Sequence, residues 1–196
     1  MFKRGRGGGE PVDWLIVGLG NPGVKYAGTR HNVGYVVAER LIARYELSKP
    51  KPKYRGRLAS GRLGPGGARV AVLMPGTYMN ESGRSVGPAR GELRVQPDHV
   101  VVIHDEIDFA FGRVETRLGG GTGGHNGLKS LKSGLGTADF QRVRVGVGRP
   151  DSSDPEIVSA WVLSGFTESK ADVDDLAERA LDATVRLVTT GSADAG

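Results

Sequence analysis

The sequence predicts a single α/β domain in which a mixed, mostly parallel twisted sheet lies between helices. Short apolar runs at Trp14–Leu19, Val70–Met74 and Val100–Ile103 have the length and composition of buried strands. Segments with helical spacing alternate with them, as a parallel sheet with crossover helices requires. The chain has 196 residues, 38% hydrophobic and 25% charged, which suits one core of globular composition. Residues 14–190 are read as that domain, flanked by a disordered basic, Gly-rich tail at 1–13 and a flexible C-terminus at 191–196.

Each element has a local reason. Trp14–Leu19 is closed by Gly20-Asn21-Pro22-Gly23, a tight-turn sequence. Asn32 is placed to cap a helix reaching about Leu47, with Val33, Val36, Val37 and Leu41 on one face. Leu58–Leu63 and Val70–Met74 flank Gly64-Pro65-Gly66-Gly67, a hairpin pattern, and a short helix follows Asn80. Val100–Ile103 ends in His104-Asp105-Glu106. Val114–Arg117 is a weaker strand entering a glycine loop over Gly119–Gly127, and a short helix follows near Leu128–Leu135. Arg142–Val147 alternates like a half-exposed strand, and Ile157–Leu163 and Lys170–Val188 carry helical patterns.

Composition removes several chemistries. Without cysteine there is no disulfide, thiolate metal site or cysteine nucleophile. No apolar stretch approaches the length of a membrane span, and the N-terminus has charge but no apolar signal core, so a cytoplasmic protein without a membrane partner is expected. The four histidines, His31, His99, His104 and His125, show no close metal-ligand spacing, so no metal or other cofactor is expected. Charge is uneven: residues 1–150 carry 24 basic and 12 acidic side chains, residues 151–196 carry 3 and 10. A basic body with an acidic C-terminal segment reads as attraction to a polyanion, nucleic acid above all.

Two short motifs fit their usual meanings poorly. Gly18-Leu-Gly-Asn-Pro-Gly23 matches a dinucleotide fingerprint, but Pro22 removes an amide that would meet a pyrophosphate, and the helix waits until about Val33. Gly83-Arg-Ser-Val-Gly87 matches a nucleophile elbow, with Ser85, Asp105 and His125 in the order of an α/β-hydrolase triad, yet no strand pattern precedes the serine. The loop Gly119-Gly-Gly-Thr-Gly-Gly124 lacks the ending of a P-loop, although its backbone could approach a substrate closely, and the adjoining His125-Asn126 points to a site. His31 lies where the first strand and turn meet a helix, and Asp105 just past a buried strand, the usual ligand edge of an α/β sheet. A neutral imidazole beside a carboxylate can take a proton from water, but spacing does not show that these two meet.

Together these segments closely resemble the bacterial peptidyl-tRNA hydrolase family. The resemblance rests on Val17–Tyr26 with Thr29–Asn32, Pro75–Gly83, His104–Asp108, Gly119–Lys129 and Arg142–Gly148, in the family's order. It implies a metal-free monomer that cleaves the ester between a peptide and the 3′ ribose of tRNA, recycling peptidyl-tRNA that has left the ribosome. In that resemblance His31 is the general base that activates water, Asp105 orients it, and Asn21 helps separate N-blocked substrates from free aminoacyl-tRNA. Asn80 and Asn126 position substrate and water, with Met79 beside them. Tyr26 and Tyr78 meet the tRNA 3′ end or the peptide, and Arg117 and Arg144 contact phosphate. Two alternatives stay open on residues alone: a serine esterase using Ser85, and a tRNA- or RNA-binding module without catalysis.

Overall fold

The computed structural model describes residues 11–193; most of the predicted N-terminal tail and the last three residues lie outside them. Among the described residues seven strands form one sheet: β1 (Trp14–Gly18), β2 (Lys51–Lys53), β3 (Gly56–Arg62), β4 (Arg69–Pro75), β5 (Val100–Glu106), β6 (Val114–Leu118) and β7 (Gln141–Gly146). Their order is β2-β3-β4-β1-β5-β7-β6. The four central strands run parallel, and antiparallel neighbours close both edges. Asp13 is already tied to β4, its amide donating to the Arg69 carbonyl at 2.8 Å, so the domain begins slightly before Trp14.

Among the described residues there are five α-helices, α1 (Val33–Arg44), α2 (Gly83–Leu93), α3 (Asn126–Leu135), α4 (Pro155–Val162) and α5 (Lys170–Thr190); α1, α2, α3 and α5 cover the sheet, and α4 lies against residues 30–32. Alternation along the strands makes two cores. Ile16, Val72, Val101, Ile103, Val143 and Val145 face α1 and α5, while Val17, Leu73, Val100 and Val102 face α2 and α3. Helix α1 ends at Arg44, short of the expected Leu47, because Glu46 adopts φ 49° and turns the chain toward β2. Strand β7 is buried along nearly its whole length, against the expected half exposure, because it lies between β5 and β6 with α5 over one face and the Gly120–Gly121 loop over Arg142 on the other. Its Arg–Val alternation therefore places Arg142 in the interior.

Two glycines set the depth at which α1 meets the strand ends. A Cβ on Gly34 would fall 2.4 Å from the Ile103 carbonyl oxygen, and one on Gly18 would fall 2.3 Å from the Gly34 carbonyl oxygen. Without side chains there, the first turn of α1 lies directly on β1 and β5. The Leu19 amide bonds the Ile103 carbonyl at 3.0 Å, and the Tyr35 amide bonds the Leu19 carbonyl at 3.2 Å. The 3₁₀ turn Arg30–Asn32, just upstream of α1, is thus set beside the C-terminal end of β5. Arg30 fastens that turn to the segment after α4: it is 1% exposed, bonds Ser164 Oγ at 2.7 Å and the Gly165 carbonyl, and stacks on Trp161.

Candidate active site

The strand ends of β1 and β5, the turn before α1 and the start of α3 converge on one carboxylate. Asp105, 2% exposed at the end of β5, is bonded by His31 Nδ1 at 2.9 and 2.8 Å to its two oxygens. His125 Nε2 reaches the same carboxylate at 2.9 Å. The protons can be assigned from the partners. His125 Nδ1 accepts the amides of Gly127 (3.1 Å) and Leu128 (3.3 Å) as the N-cap of α3, so Nε2 carries the proton donated to Asp105. His31 donates from Nδ1, which leaves Nε2 with its lone pair and no protein partner among the described residues.

Burial alone would raise the Asp105 carboxyl, but the His31 and His125 imidazoles outweigh it and hold the group well below the ordinary carboxylate range. His104, the preceding residue, donates Nδ1–H to the Asp105 carbonyl at 2.8 Å and meets the His125 ring edge-on at 5.1 Å between centroids. Burial first, and His125 second, push its imidazole down to about 3, so it is neutral at physiological pH. Its Nε2 has no partner among the described residues.

The other wall is built around Asn21. The amide of Asn32 bonds Asn21 through both its ends, Oδ1 to the Asn21 N–H and Nδ2 to the Asn21 carbonyl, each at 2.9 Å. Asn32 therefore sits at the cap position of α1 yet locks the Gly20–Gly23 turn instead of capping the helix. Asn21 Oδ1 accepts the Met79 N–H at 2.8 Å, which leaves Nδ2 as the free end of that side chain.

A cleft of about 680 Å³ holds these groups, its lining including Asn21, His31, Asp105, His125, Tyr78, Met79, Asn80 and Asn126, with Val158 and Val162 of α4 opposite. A larger cavity, about 970 Å³, lies on the far side of Asn21 and Asn32 and contains no imidazole; the chemistry belongs to the smaller one. The structure thus brings together all but three of the site residues expected from sequence. Tyr26 lines neither cavity. Arg117 is exposed on β6, and Arg144 bonds Glu106 at 3.1 Å and lies 3.8 Å from Glu115. Ser85 is fully buried within α2 and absent from the cleft lining, so it is not placed as a nucleophile. Outside that serine alternative, sequence reading gave His125 no role; its one signal was its place between a glycine loop and a helix start.

His31, Asp105 and His125 also offer three ligand atoms within 4.8 Å of one another. The N···O separations of 2.8–2.9 Å are hydrogen-bond lengths, and the helix amides on His125 Nδ1 keep the facing Nε2 protonated. A metal ion would have to displace both shared protons. As it stands, the set fits proton transfer.

An α/β sheet with an imidazole–carboxylate pair at the C-terminal ends of its parallel strands, facing a polar cleft, is the arrangement of an α/β enzyme that moves a proton. The sequence model of the family "Peptidyl-tRNA hydrolase" matches residues 15–195. The chain is 50% identical over 185 residues to the peptidyl-tRNA hydrolase of Mycobacterium avium and 48% identical to that of Mycobacterium tuberculosis, covering 93% of both chains in each case. The crystal structure of peptidyl-tRNA hydrolase from Acinetobacter baumannii superposes with a TM-score of 0.79 at 38% identity, over 94% of this chain and 92% of that one. The chain belongs to the peptidyl-tRNA hydrolase family.

Proposed function

We propose that this protein hydrolyses the ester between a peptide and the 3′ ribose of peptidyl-tRNA, with His31 as general base. The observation that carries the reading is the His31–Asp105 contact, which fixes the Nδ1–H tautomer and leaves Nε2 toward the cleft. Nε2 takes a proton from water as the oxygen attacks the acyl carbon, and Asp105 stabilises the imidazolium formed. The tetrahedral intermediate then expels the ribose 3′ oxygen, which receives the proton from His31, and the peptide's new carboxylic acid loses its remaining water-derived proton to solvent. A positioned base supplies about 10²–10⁴-fold, and one donor at the developing oxyanion about 10²–10³-fold. The amides of Asn21, Asn80 and Asn126 in the cleft lining are suited to that second task.

The substrate fits the charge. Arg117 is exposed and carries no ion pair among the described residues, so it meets phosphate directly; Arg144 does so on exchanging a carboxylate for it. Phosphate contacts give affinity without reading sequence, as recycling of many tRNAs demands. No described helix is long and apolar enough to cross a membrane. The protein is proposed to act as a cytoplasmic monomer. Single-turnover cleavage of N-acetyl-aminoacyl-tRNA by His31→Ala tests the reading. A folded variant is expected to lose at least about 10²-fold, and near-parent turnover would refute the base assignment.

A further inference from the structure

Among the described residues, Arg142 is a buried cation held by no carboxylate hydrogen bond. It lies on β7, 3% exposed, and its guanidinium bonds the backbone carbonyls of Gly120 (2.8 Å) and Gly121 while stacking on Phe140. Its Nε has no partner among the described residues. Burial and the neighbouring Arg117 and Arg144 charges disfavour its charged form. A buried cation is costly unless it is paired and hydrogen-bonded, and the acceptors that hold this one are two loop carbonyls and no carboxylate.

Those contacts fall on the segment least able to hold its own shape. Gly119, Gly120, Gly123 and Gly124 all have positive φ, and the loop carries backbone bonds at its ends, Gly119 to Phe140 (3.0 Å) and His125 to Thr122 (2.9 Å). Between those ends Arg142 grips two successive carbonyls. The loop runs directly into His125, whose ring caps α3 and gives Asp105 its second proton donor. Arg117, the cross-strand partner of Arg142, lies over Gly120 so closely that a Cβ there would come within 2.8 Å of its guanidinium carbon.

We propose that Arg142 is a positioning residue for the hydrolysis: by clamping the Gly120 and Gly121 carbonyls it holds the glycine loop in the one arrangement that sets His125 against Asp105. The inference rests on the His31–Asp105 base reading and adds a residue outside the cleft lining to it. Supporting groups of this kind act through geometry, and their loss costs about 10–100-fold in rate.

The test compares full-length Arg142→Gln and Arg142→Lys with the parent on N-acetyl-aminoacyl-tRNA, with thermal unfolding as the check on folding. Gln, which loses the second carbonyl contact and the charge, is expected to lower kcat about 10–100-fold with KM changed by less than about threefold, and Lys to restore part of kcat. Ring-nitrogen NMR is expected to show the protected His125 Nε2–H of the parent lost to exchange in Arg142→Gln. Unchanged kcat in a folded Gln variant, or a rise confined to KM, would overturn the proposal; the latter would make Arg142 a substrate contact. If Gln does not fold, Lys decides: its single ammonium lacks the rigid fork that fixes both carbonyls at once, so a kcat equal to the parent's overturns the clamp. His31→Ala run alongside separates the two readings. An active His31→Ala refutes the base assignment itself, whereas an inactive one beside an unimpaired Arg142→Gln refutes the clamp alone.

Discussion

Replacing Asp105 by asparagine should inactivate the enzyme through the wrong tautomer of His31, and a second substitution should partly reverse the defect. Asparagine offers one carbonyl oxygen and one NH₂ where aspartate offers two acceptors. His125 cannot adjust, because its Nδ1 already accepts the Gly127 and Leu128 amides and its Nε2 must donate. The carbonyl oxygen of the introduced amide therefore turns to His125, and its NH₂ faces His31 Nδ1, which lies 2.8 Å from the carboxylate in the parent. That nitrogen must then accept, so the His31 proton moves to Nε2 and the lone pair facing the cleft is lost.

The loss expected for Asp105→Asn is about 10⁴-fold in kcat, or about 5 kcal/mol of barrier, as for a catalytic aspartate whose replacement reverses the tautomer. His125→Asn keeps a good N-cap for α3 but is too short to reach Asp105, and alone it should cost about 10–100-fold. In the double variant the oxygen of the introduced amide is free to accept His31 Nδ1–H again. Asp105→Asn/His125→Asn should therefore be at least about tenfold more active than Asp105→Asn, which with the defect of His125→Asn alone is a coupling of at least about 2.7 kcal/mol in favour of the pair. Single-turnover cleavage of N-acetyl-aminoacyl-tRNA, with circular dichroism to establish folding, reads all four proteins. A double variant as impaired as the product of the two single defects would refute the tautomer argument.

Acid should weaken the fold through His104, whose imidazole is held down at about 3 against roughly 6.5 unfolded. The unfolded chain binds that proton first, so the contribution is complete above about pH 6.5 and drains as pH falls toward 3, by about 2 kcal/mol between pH 7 and 5. Asp105, also depressed, adds to the loss only below about pH 4. Urea unfolding of His104→Asn, which can keep the bond to the Asp105 carbonyl, should show a shallower pH slope; parallel slopes would rule out His104 as the source. Arg117→Ala should weaken tRNA binding and reduce the slope of log K against log salt by about 1, with kcat unchanged, and an unaltered slope would remove it from the phosphate contacts. Gly34→Ala should destabilise by at least about 2 kcal/mol and lower kcat as well, because its Cβ would push α1 and the His31 turn off β5. Parent-like denaturation and kinetics would show that the close approach is not required.

What the sequence made legible followed from how local each signal is. β1, β4 and β5 are apolar runs buried on both faces, and α5 at Lys170–Thr190 differs little from the expected Lys170–Val188. Lys51-Pro52-Lys53 gave no strand signal because it is exposed and polar; it pairs with β3 because the chain turns at Tyr54 and Arg55, both with positive φ. β7 read as half exposed because a buried arginine is rare, and the acceptors that make Arg142 tolerable belong to a loop 21 and 22 residues upstream. His31 and Asp105 were separately conspicuous, but they are 74 positions apart and only the fold joins them. His125 went without a role beside them for the same reason: its task depends on where a glycine loop ends, and glycine does not encode that endpoint.

The site gathers its precision from elements that do not themselves react. A carboxylate buried at the end of β5 would be costly alone, and it stays ionised because two imidazoles from separate elements donate hydrogen bonds to it. One imidazole is placed by the Gly18–Gly34 contact of α1 with the strands, the other by the cap of α3 and the loop that Arg142 holds. Neither could be moved without withdrawing a donor from Asp105 and weakening the orientation of His31. His104 contributes by remaining neutral, so the ring that meets His125 edge-on adds no positive charge beside the carboxylate. The orientation of His31 Nε2 thus depends on packing at two glycines, one helix cap and one buried guanidinium, which is why substitutions remote from the cleft should register in kcat before they register in KM.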